Sequence, residues 1–268
     1  MKHGNVIVGQ SGGPTAVINS SLAGVFKTAR DRGANKVFGM QNGIAGFLEG
    51  RYVDLSEHIQ TDLHIELLKR TPSAYLGSCR YKLPEIEENE EIYIKIFKML
   101  NDLEIEHFFY IGGNDSMDTI KKLSHYGEKI NSSIRFMGVP KTIDNDLAET
   151  DHTPGYGSAA KFIATVMKEI IKDANVYGNQ NIHIVEIMGR NAGWLTASAA
   201  LSKAALPKRL LPNLGYASTL LSHGSNVPVF SLVQPTGKTA TTSVSVSLKL
   251  KTALFASSLP RKTRLLMY

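Results

Sequence analysis

The feature that most constrains this chain is a unit recurring as far as about Leu201: a short apolar run, a glycine turn, then a helix-length amphipathic stretch. Val6–Val8 reads as a buried strand, Gly12–Gly13 as its turn and Val17–Arg32 as a helix. Lys36–Met40 is a second strand. Glu88–Leu103 carries Ile92, Ile96, Met99 and Leu103 at helical spacing. The unit then repeats with strand Phe108–Ile111, turn Gly112–Gly113 and helix Met117–Tyr126. Strand Phe136–Val139 stops at Pro140, and helix Ser158–Lys172 follows. Strand Ile182–Ile187, a turn at Gly189 and a helix from about Ala192 to Leu201 complete the series. Strands separated by helices pair in parallel, because a parallel pair needs a long crossover. The expected fold class is therefore α/β, a doubly wound, mostly parallel sheet with helices on both faces. Ligands of such sheets bind at the carboxyl ends of strands, where these turns fall.

Composition divides the chain. The formal charge is +6, yet all 24 acidic residues lie at or before Glu186. The first 186 residues carry a net −4, whereas the last 82 carry 10 basic residues and no acid. The basicity belongs to the tail, with no aromatic–basic interleaving, so nucleic acid is not an expected partner. Past Leu206 the sequence is Ser-, Thr- and Leu-rich, punctuated by Pro207, Pro212, Pro228 and Pro235. Thr242–Lys251 alternates apolar and polar residues as an amphipathic strand would. No apolar run is long enough to span a bilayer, so no membrane is expected. Met1–Gly4 leads directly into the first strand without a charged-then-apolar leader, and Cys79 is the single cysteine. Both point to a cytoplasmic protein without disulfides.

Four strand-end motifs carry chemistry. Gly9-Gln10-Ser11-Gly12-Gly13-Pro14-Thr15 joins a strand to a helix. Backbone N–H groups in such a turn converge on an anion, although a tight connection alone also explains it. Gly112-Gly113-Asn114-Asp115-Ser116 offers a second such turn, with Asn114 and Asp115 as oxygen ligands for Mg²⁺ or as a helix cap. Pro140-Lys141-Thr142-Ile143-Asp144-Asn145-Asp146 places two carboxylates beside a lysine, suiting a general base and a cation near transferring phosphates, or else a polar Asx-turn loop. It is not a calcium loop, since Glu149 stands where glycine is required. Glu186-Ile187-Met188-Gly189-Arg190 ends a strand, with Arg190 suited to a sugar phosphate and Glu186 to sugar hydroxyls, or the two to an ordinary ion pair.

Taken in this order, the motifs resemble the 6-phosphofructokinase family, over roughly three-quarters of the chain. The resemblance implies a two-lobed fold: a donor-phosphate lobe over 1–139, a partial sugar-phosphate lobe over 140–206 and an atypical acid-free tail over 207–268. It implies transfer of a phosphoryl group to the 1-hydroxyl of fructose 6-phosphate, with Mg²⁺. Family members that use ATP typically have Gly where Asp115 and Lys141 stand here; Asp and Lys mark pyrophosphate users. A carboxylate at Asp115 repels a nucleotide α-phosphate, and Lys141 adds charge for a short polyanion. By position, Gly12, Gly13, Gly113 and Arg80 bind donor phosphates, and Lys141, Asp115 and Asp144 serve catalysis, with Asp144 as proton acceptor. Thr142, Ile143, Asp144, Glu186, Met188, Gly189 and Arg190 bind the sugar phosphate. Asn114, where the family usually has a metal-binding Asp, and Asp146 are the metal positions. Asn181 stands where the family has an arginine that reaches a neighbouring subunit, and the family forms homo-oligomers. The alternatives are an ATP-dependent 6-phosphofructokinase and a non-catalytic phosphate-binding remnant or regulatory subunit.

The family's further sugar-phosphate ligands are not recognisable after Leu206, within the acid-free stretch that follows Glu186. A shift of reading frame near Leu206 is the hypothesis that both features suggest. The expectation is an incomplete second lobe and little phosphotransferase turnover.

Overall fold

A computed structural model describes residues 4–174, 176, 182–189, 192–204, 219–223 and 227–233. The chain divides into two compact units, with the break between Thr142 and Ile143.

The first unit runs β1 (Asn5–Gln10), α1 (Ala16–Asp31), β2 (Val37–Met40), α2 (Gly43–Leu48), β3 (Tyr52–Asp54), α3 (Leu55–His58), α4 (Asp62–Arg70), α5 (Glu90–Asp102), β4 (Ile105–Gly112), α6 (Asn114–Lys129) and β5 (Arg135–Pro140). Its five-stranded sheet has the order β3-β2-β1-β4-β5. β2, β1, β4 and β5 are parallel, and β3 closes one edge antiparallel to β2. Every residue of β1 is buried. Its side chains alternate between two cores, Ile7 in one and Val6 and Val8 in the other. On one face, Ile18, Leu22 and Phe26 of α1 form a buried stripe at a spacing of four residues. On the other, Tyr93, Ile96, Phe97 and Leu100 of α5 meet Leu123 and Tyr126 of α6 over Phe108 and Tyr110. Each such side chain stabilises the fold by about 1.5–3 kcal/mol on burial.

The order of the strands creates a switch point. From β1 the chain passes through α1 to β2 on one side, while β4 lies on the other side of β1. The carboxyl ends of β1 and β4 therefore diverge into a crevice, and this is where ligands of doubly wound sheets bind.

The second unit contains α7 (Tyr156–Ala174), β6 (Ile182–Glu186), α8 (Trp194–Ser198), α9 (Leu201–Ala204), β7 (Thr219–His223) and β8 (Val227–Val233). Met167 and Ile171 of α7 pack with Ile187, Leu195 and Ala199. The single helix expected from Ala192 to Leu201 is instead two short ones, α8 and α9. The strand order is β6-β8-β7, and both pairs are antiparallel. This departs from the parallel pairing of the first unit. Strands as closely joined as β7 and β8 can pair only antiparallel. Among the described residues no helix is long and apolar enough to cross a membrane.

Candidate active site

The four residues that follow β1 make the first wall of the switch-point crevice. The Ser11 N–H donates to the Ile111 carbonyl (2.9 Å), continuing the sheet for one residue beyond β1. The chain then turns at Gly12, whose φ of 78° lies in the left-handed region that side chains disfavour. The Gly12 N–H donates to the Cys79 carbonyl (3.0 Å), and the Ser78 hydroxyl donates to the Gly12 carbonyl (2.5 Å). At Gly13, no atom lies within 4 Å of where a Cβ would stand, so the loop surface is open there. Thr15 caps α1 without a side-chain bond, and its hydroxyl oxygen is buried with no hydrogen-bond partner.

The second wall follows β4. Gly113 is the N-cap of α6 and makes no side-chain cap bond, so Asn114 and Asp115 are the first two helical residues. The Asn-Asp-Ser cap expected as one reading of this motif is thus absent, and the helix starts three residues earlier than the Met117 expected. Asn114 and Asp115 are exposed on a helix N-terminus, whose amides and dipole favour negative charge. A Cβ on Gly112 would stand 1.9 Å from the Ser116 Oγ and 2.8 Å from the Ser11 Oγ. That vacancy lets the two buried serine hydroxyls hydrogen-bond to each other and tie the walls together.

The third contribution follows β5. The Lys141 N–H donates to the Gly112 carbonyl (2.8 Å), which fixes its backbone against the second wall. Its buried side chain reaches the first wall, where Nζ donates to the Gly13 carbonyl. An ammonium thus sits within the glycine loop, at 3.6 Å from the position of a Gly12 Cβ. Deeper in, the Tyr110 hydroxyl accepts the Ile44 N–H (3.2 Å) and lies 3.6 Å from the Cys79 Sγ. Burial pushes the Tyr110 hydroxyl well above the usual tyrosine range, so it stays protonated. Arg80, exposed, continues the segment whose Ser78 and Cys79 hold Gly12.

The first unit therefore brings together Gly12, Gly13, Gly113 and Lys141, with Arg80 on a neighbouring arm and Asn114 and Asp115 at the head of α6. Thr142 ends this unit and is half-buried. The other expected residues belong to the second unit. Asp144 and Asp146, both half-buried, flank Asn145. Asn145 has a φ of 56°, a conformation asparagine tolerates better than most residues. Its side chain donates to the Asp151 carbonyl (3.0 Å) and accepts the Thr153 N–H (2.8 Å). This lock fixes the backbone between the two carboxylates. Ile143 packs against the unit's core. Glu186 is buried at the end of β6, Gly189 is buried and Met188 is exposed. Arg190, Asn181 and the alternating run Thr242–Lys251 lie outside the described residues.

Three features were missed by sequence reasoning: the serine pair, the Asn145 lock and the buried amides Gln10 and Asn19. Only Asn145, an Asx residue in a polar loop, carried a local signal. Among the described residues no group of three His, Cys, Asp or Glu side chains converges as a metal cage. A cavity of about 700 Å³, lined by Val6, Val25, Ala29, Phe109 and Met137 among others, lies elsewhere, toward the amino ends of β1 and β4. It contains none of the motif residues.

A family model described as Phosphofructokinase matches residues 5–216, continuing past Leu206. The pyrophosphate–fructose 6-phosphate 1-phosphotransferase of Xanthomonas campestris is 43% identical over 204 residues, covering 75% of this chain and 48% of that protein. The ATP-dependent 6-phosphofructokinase of Aliivibrio salmonicida is 34% identical over 192 residues, covering 72% of this chain and 55% of that protein. Among solved structures, the pyrophosphate-dependent phosphofructokinase of Nitrosospira multiformis matches with a TM-score of 0.68 at 38% identity, covering 76% of this chain and 50% of that one. The chain spans about half the length of the curated relatives it matches. The parallel sheet, its glycine-walled switch point and these likenesses agree, and the chain belongs to the phosphofructokinase family.

Proposed function

We propose that this chain carries the donor half of a phosphotransferase that moves a phosphoryl group from pyrophosphate to the 1-hydroxyl of fructose 6-phosphate. The observation that carries this reading is Lys141, whose ammonium is built into the glycine loop at the switch point. A short donor with negative charge on both of its phosphates gains from a fixed cation there. Asp115, exposed in the first turn of α6, adds a negative charge that disfavours the longer phosphate chain of a nucleotide. The higher identity to the pyrophosphate-using relative than to the ATP-using one supports the same donor.

In the proposed reaction Asp144 accepts the proton of the sugar 1-hydroxyl. The freed oxygen attacks the nearer phosphorus of pyrophosphate, the bridging P–O bond breaks, and inorganic phosphate leaves as fructose 1,6-bisphosphate forms. Little covalent work falls to the protein, so positioning and charge supply the catalysis. Gly12, Gly13, Gly113, Arg80 and Lys141 would hold the donor. Thr142, Glu186, Met188, Gly189 and Arg190 would hold the sugar phosphate. Mg²⁺ takes only one or two protein oxygens and completes its shell with water and phosphates, so Asn114 and Asp146, each assigned to it by sequence position, would each offer one oxygen. When bound it would neutralise donor phosphate charge. We place the reaction in the cytoplasm, in glycolysis, and in a homo-oligomer.

Asn114 favours a second reading, because an amide replaces the family's metal-binding carboxylate. In that reading the chain is a phosphate-binding remnant without turnover. Calorimetric titration with pyrophosphate, together with a coupled assay on fructose 6-phosphate, pyrophosphate and Mg²⁺, separates the two. Binding with turnover supports the enzyme, and binding without turnover supports the remnant. Faster turnover with ATP than with pyrophosphate overturns the donor assignment.

A further inference from the structure

Beneath the glycine loop two amide side chains, Gln10 and Asn19, are 0% exposed. Gln10 ends β1 and Asn19 lies in the first turn of α1. The Gln10 Nε2 donates to the Ile18 carbonyl (3.1 Å) and to the Asn19 Oδ1 (3.0 Å). Both amides then reach the same distant stretch of chain. The Asn19 Nδ2 donates to the Thr71 carbonyl (2.9 Å), and its Oδ1 accepts the Tyr75 N–H (2.8 Å). The Gln10 Oε1 accepts the Leu76 N–H (2.9 Å). Residues 71–76 are thus pinned at three backbone points. The chain continues directly into Ser78 and Cys79, which clasp Gly12, and then into Arg80.

The bonds form a closed circuit. From the Gly12 turn it runs back along the chain to Gln10, across to Leu76, forward to Ser78 and Cys79, and back to Gly12. Apolar side chains of similar volume would fill the space under α1 but would leave three backbone groups of the arm without directed partners. Buried amides impose fixed directions, and unpairing them is costly.

We infer that Gln10 and Asn19 are positioning residues for the donor: they set the spacing between the Gly12 turn and the arm that ends in Arg80. This rests on the proposed donor role of that loop. Neither side chain touches the donor; both act through the backbone of the arm. Their effect falls on donor affinity, and it extends to the local mobility of the arm.

The test is calorimetric titration of the whole chain with pyrophosphate, for wild type, Asn19→Asp and Tyr75→Pro, with the folded fraction fixed by circular dichroism. Asn19→Asp keeps the shape but sets an oxygen against the Thr71 carbonyl. Tyr75→Pro removes the N–H that Asn19 accepts while leaving both buried amides in place, and it serves where Asn19→Asp does not fold. Amide exchange is read in parallel at Gly12 and residues 77–80. The expected result is an affinity loss of about tenfold or more per folded molecule, on the scale of a lost hydrogen bond. Exchange is expected to speed up at those amides, with β4 unchanged. Wild-type binding with unaltered affinity in both variants overturns the inference and leaves the donor reading standing. Absence of pyrophosphate binding in the wild type overturns the donor reading and this inference with it.

Discussion

Gly112 and Gly13 stand on the two walls of the switch-point crevice, the first packed against side chains and the second open. At Gly112 an added methyl would stand 1.9 Å from the Ser116 Oγ, 2.6 Å from the Ser116 Cβ and 2.8 Å from the Ser11 Oγ. Gly112→Ala must therefore displace the buried serine pair. Overpacking costs about 1–3 kcal/mol, and the lost hydrogen bond adds about 1 kcal/mol. The sum of about 2–4 kcal/mol is a large part of the roughly 5–15 kcal/mol that holds a domain together. At Gly13 no atom lies within 4 Å of the added carbon, and its φ is not in the left-handed region. Gly13→Ala is expected to change stability by no more than about 0.5 kcal/mol. In the proposed donor site the same methyl would occupy space left for a phosphate oxygen, so pyrophosphate affinity is expected to fall by about tenfold or more, or about 1.4 kcal/mol. Urea denaturation measures the first effect and calorimetry the second. Pyrophosphate binding to Gly13→Ala at wild-type affinity would refute the placement of the donor on this loop. A Gly112→Ala chain as stable as wild type would refute the packing argument.

Lys141→Met removes the donor to the Gly13 carbonyl and the loop's cation. It is expected to cost about 1 kcal/mol of stability and to weaken pyrophosphate binding by more than about tenfold, both read by the same two assays. Tyr93 predicts an alkaline weakness, because burial raises its hydroxyl from the ordinary 10.0 to about 12. The folded chain holds that proton more tightly than the unfolded one, so the stabilisation is complete below pH 10 and lost as pH rises through 12. With partial solvent screening of the hydroxyl, the amount is about 1–2 kcal/mol. Tyr93→Phe loses the bond to the Pro84 carbonyl (2.5 Å) but should flatten this decline, measured by denaturant midpoints at pH 8 and pH 11; an unchanged decline would count against it. Tyr110 and Tyr126 are raised as well, so some decline persists. Phe26→Ala, from the buried stripe of α1, is expected to cost about 3–5 kcal/mol by thermal unfolding; a loss under about 1 kcal/mol would contradict the packing described for that face.

β1 and β2 were legible because each is a continuous apolar run, as strands covered on both faces must be; β4 and the more exposed β5 showed through the shorter runs Phe108–Ile111 and Phe136–Val139 and the turn or proline that ends them. The loops Gly12–Gly13, Gly112–Gly113 and Lys141–Asp146 were legible as strand-end turns because glycine, proline and Asx residues interrupt the apolar runs there. The stretch between β2 and α5 was not read. There α4 turns Leu63 and Leu67 outward, which blurs the apolar spacing of Ile65 and Leu68. β3 is a three-residue edge strand, too short to show alternation. The start of α6 was misplaced because a polar trio resembles a cap, whereas Gly113 caps without a side chain. The site's internal wiring was hidden for another reason. Lys141 bonds to a carbonyl 128 residues away, and Gln10 to an amide 66 residues away. Local pattern does not encode such partners; the strand order that brings them together does. The antiparallel pairing of β6 was equally hidden, since its partner β8 comes from sequence with no chemical signal.

The central claim is that the glycine loop and Lys141 form a site for a short diphosphate donor. Parallel calorimetric titrations of the whole chain with pyrophosphate and with ATP, in Mg²⁺, test it most directly. Saturable binding of pyrophosphate at a single site, and weaker binding of ATP, are expected. Tighter binding of ATP, or no binding of pyrophosphate, would contradict it.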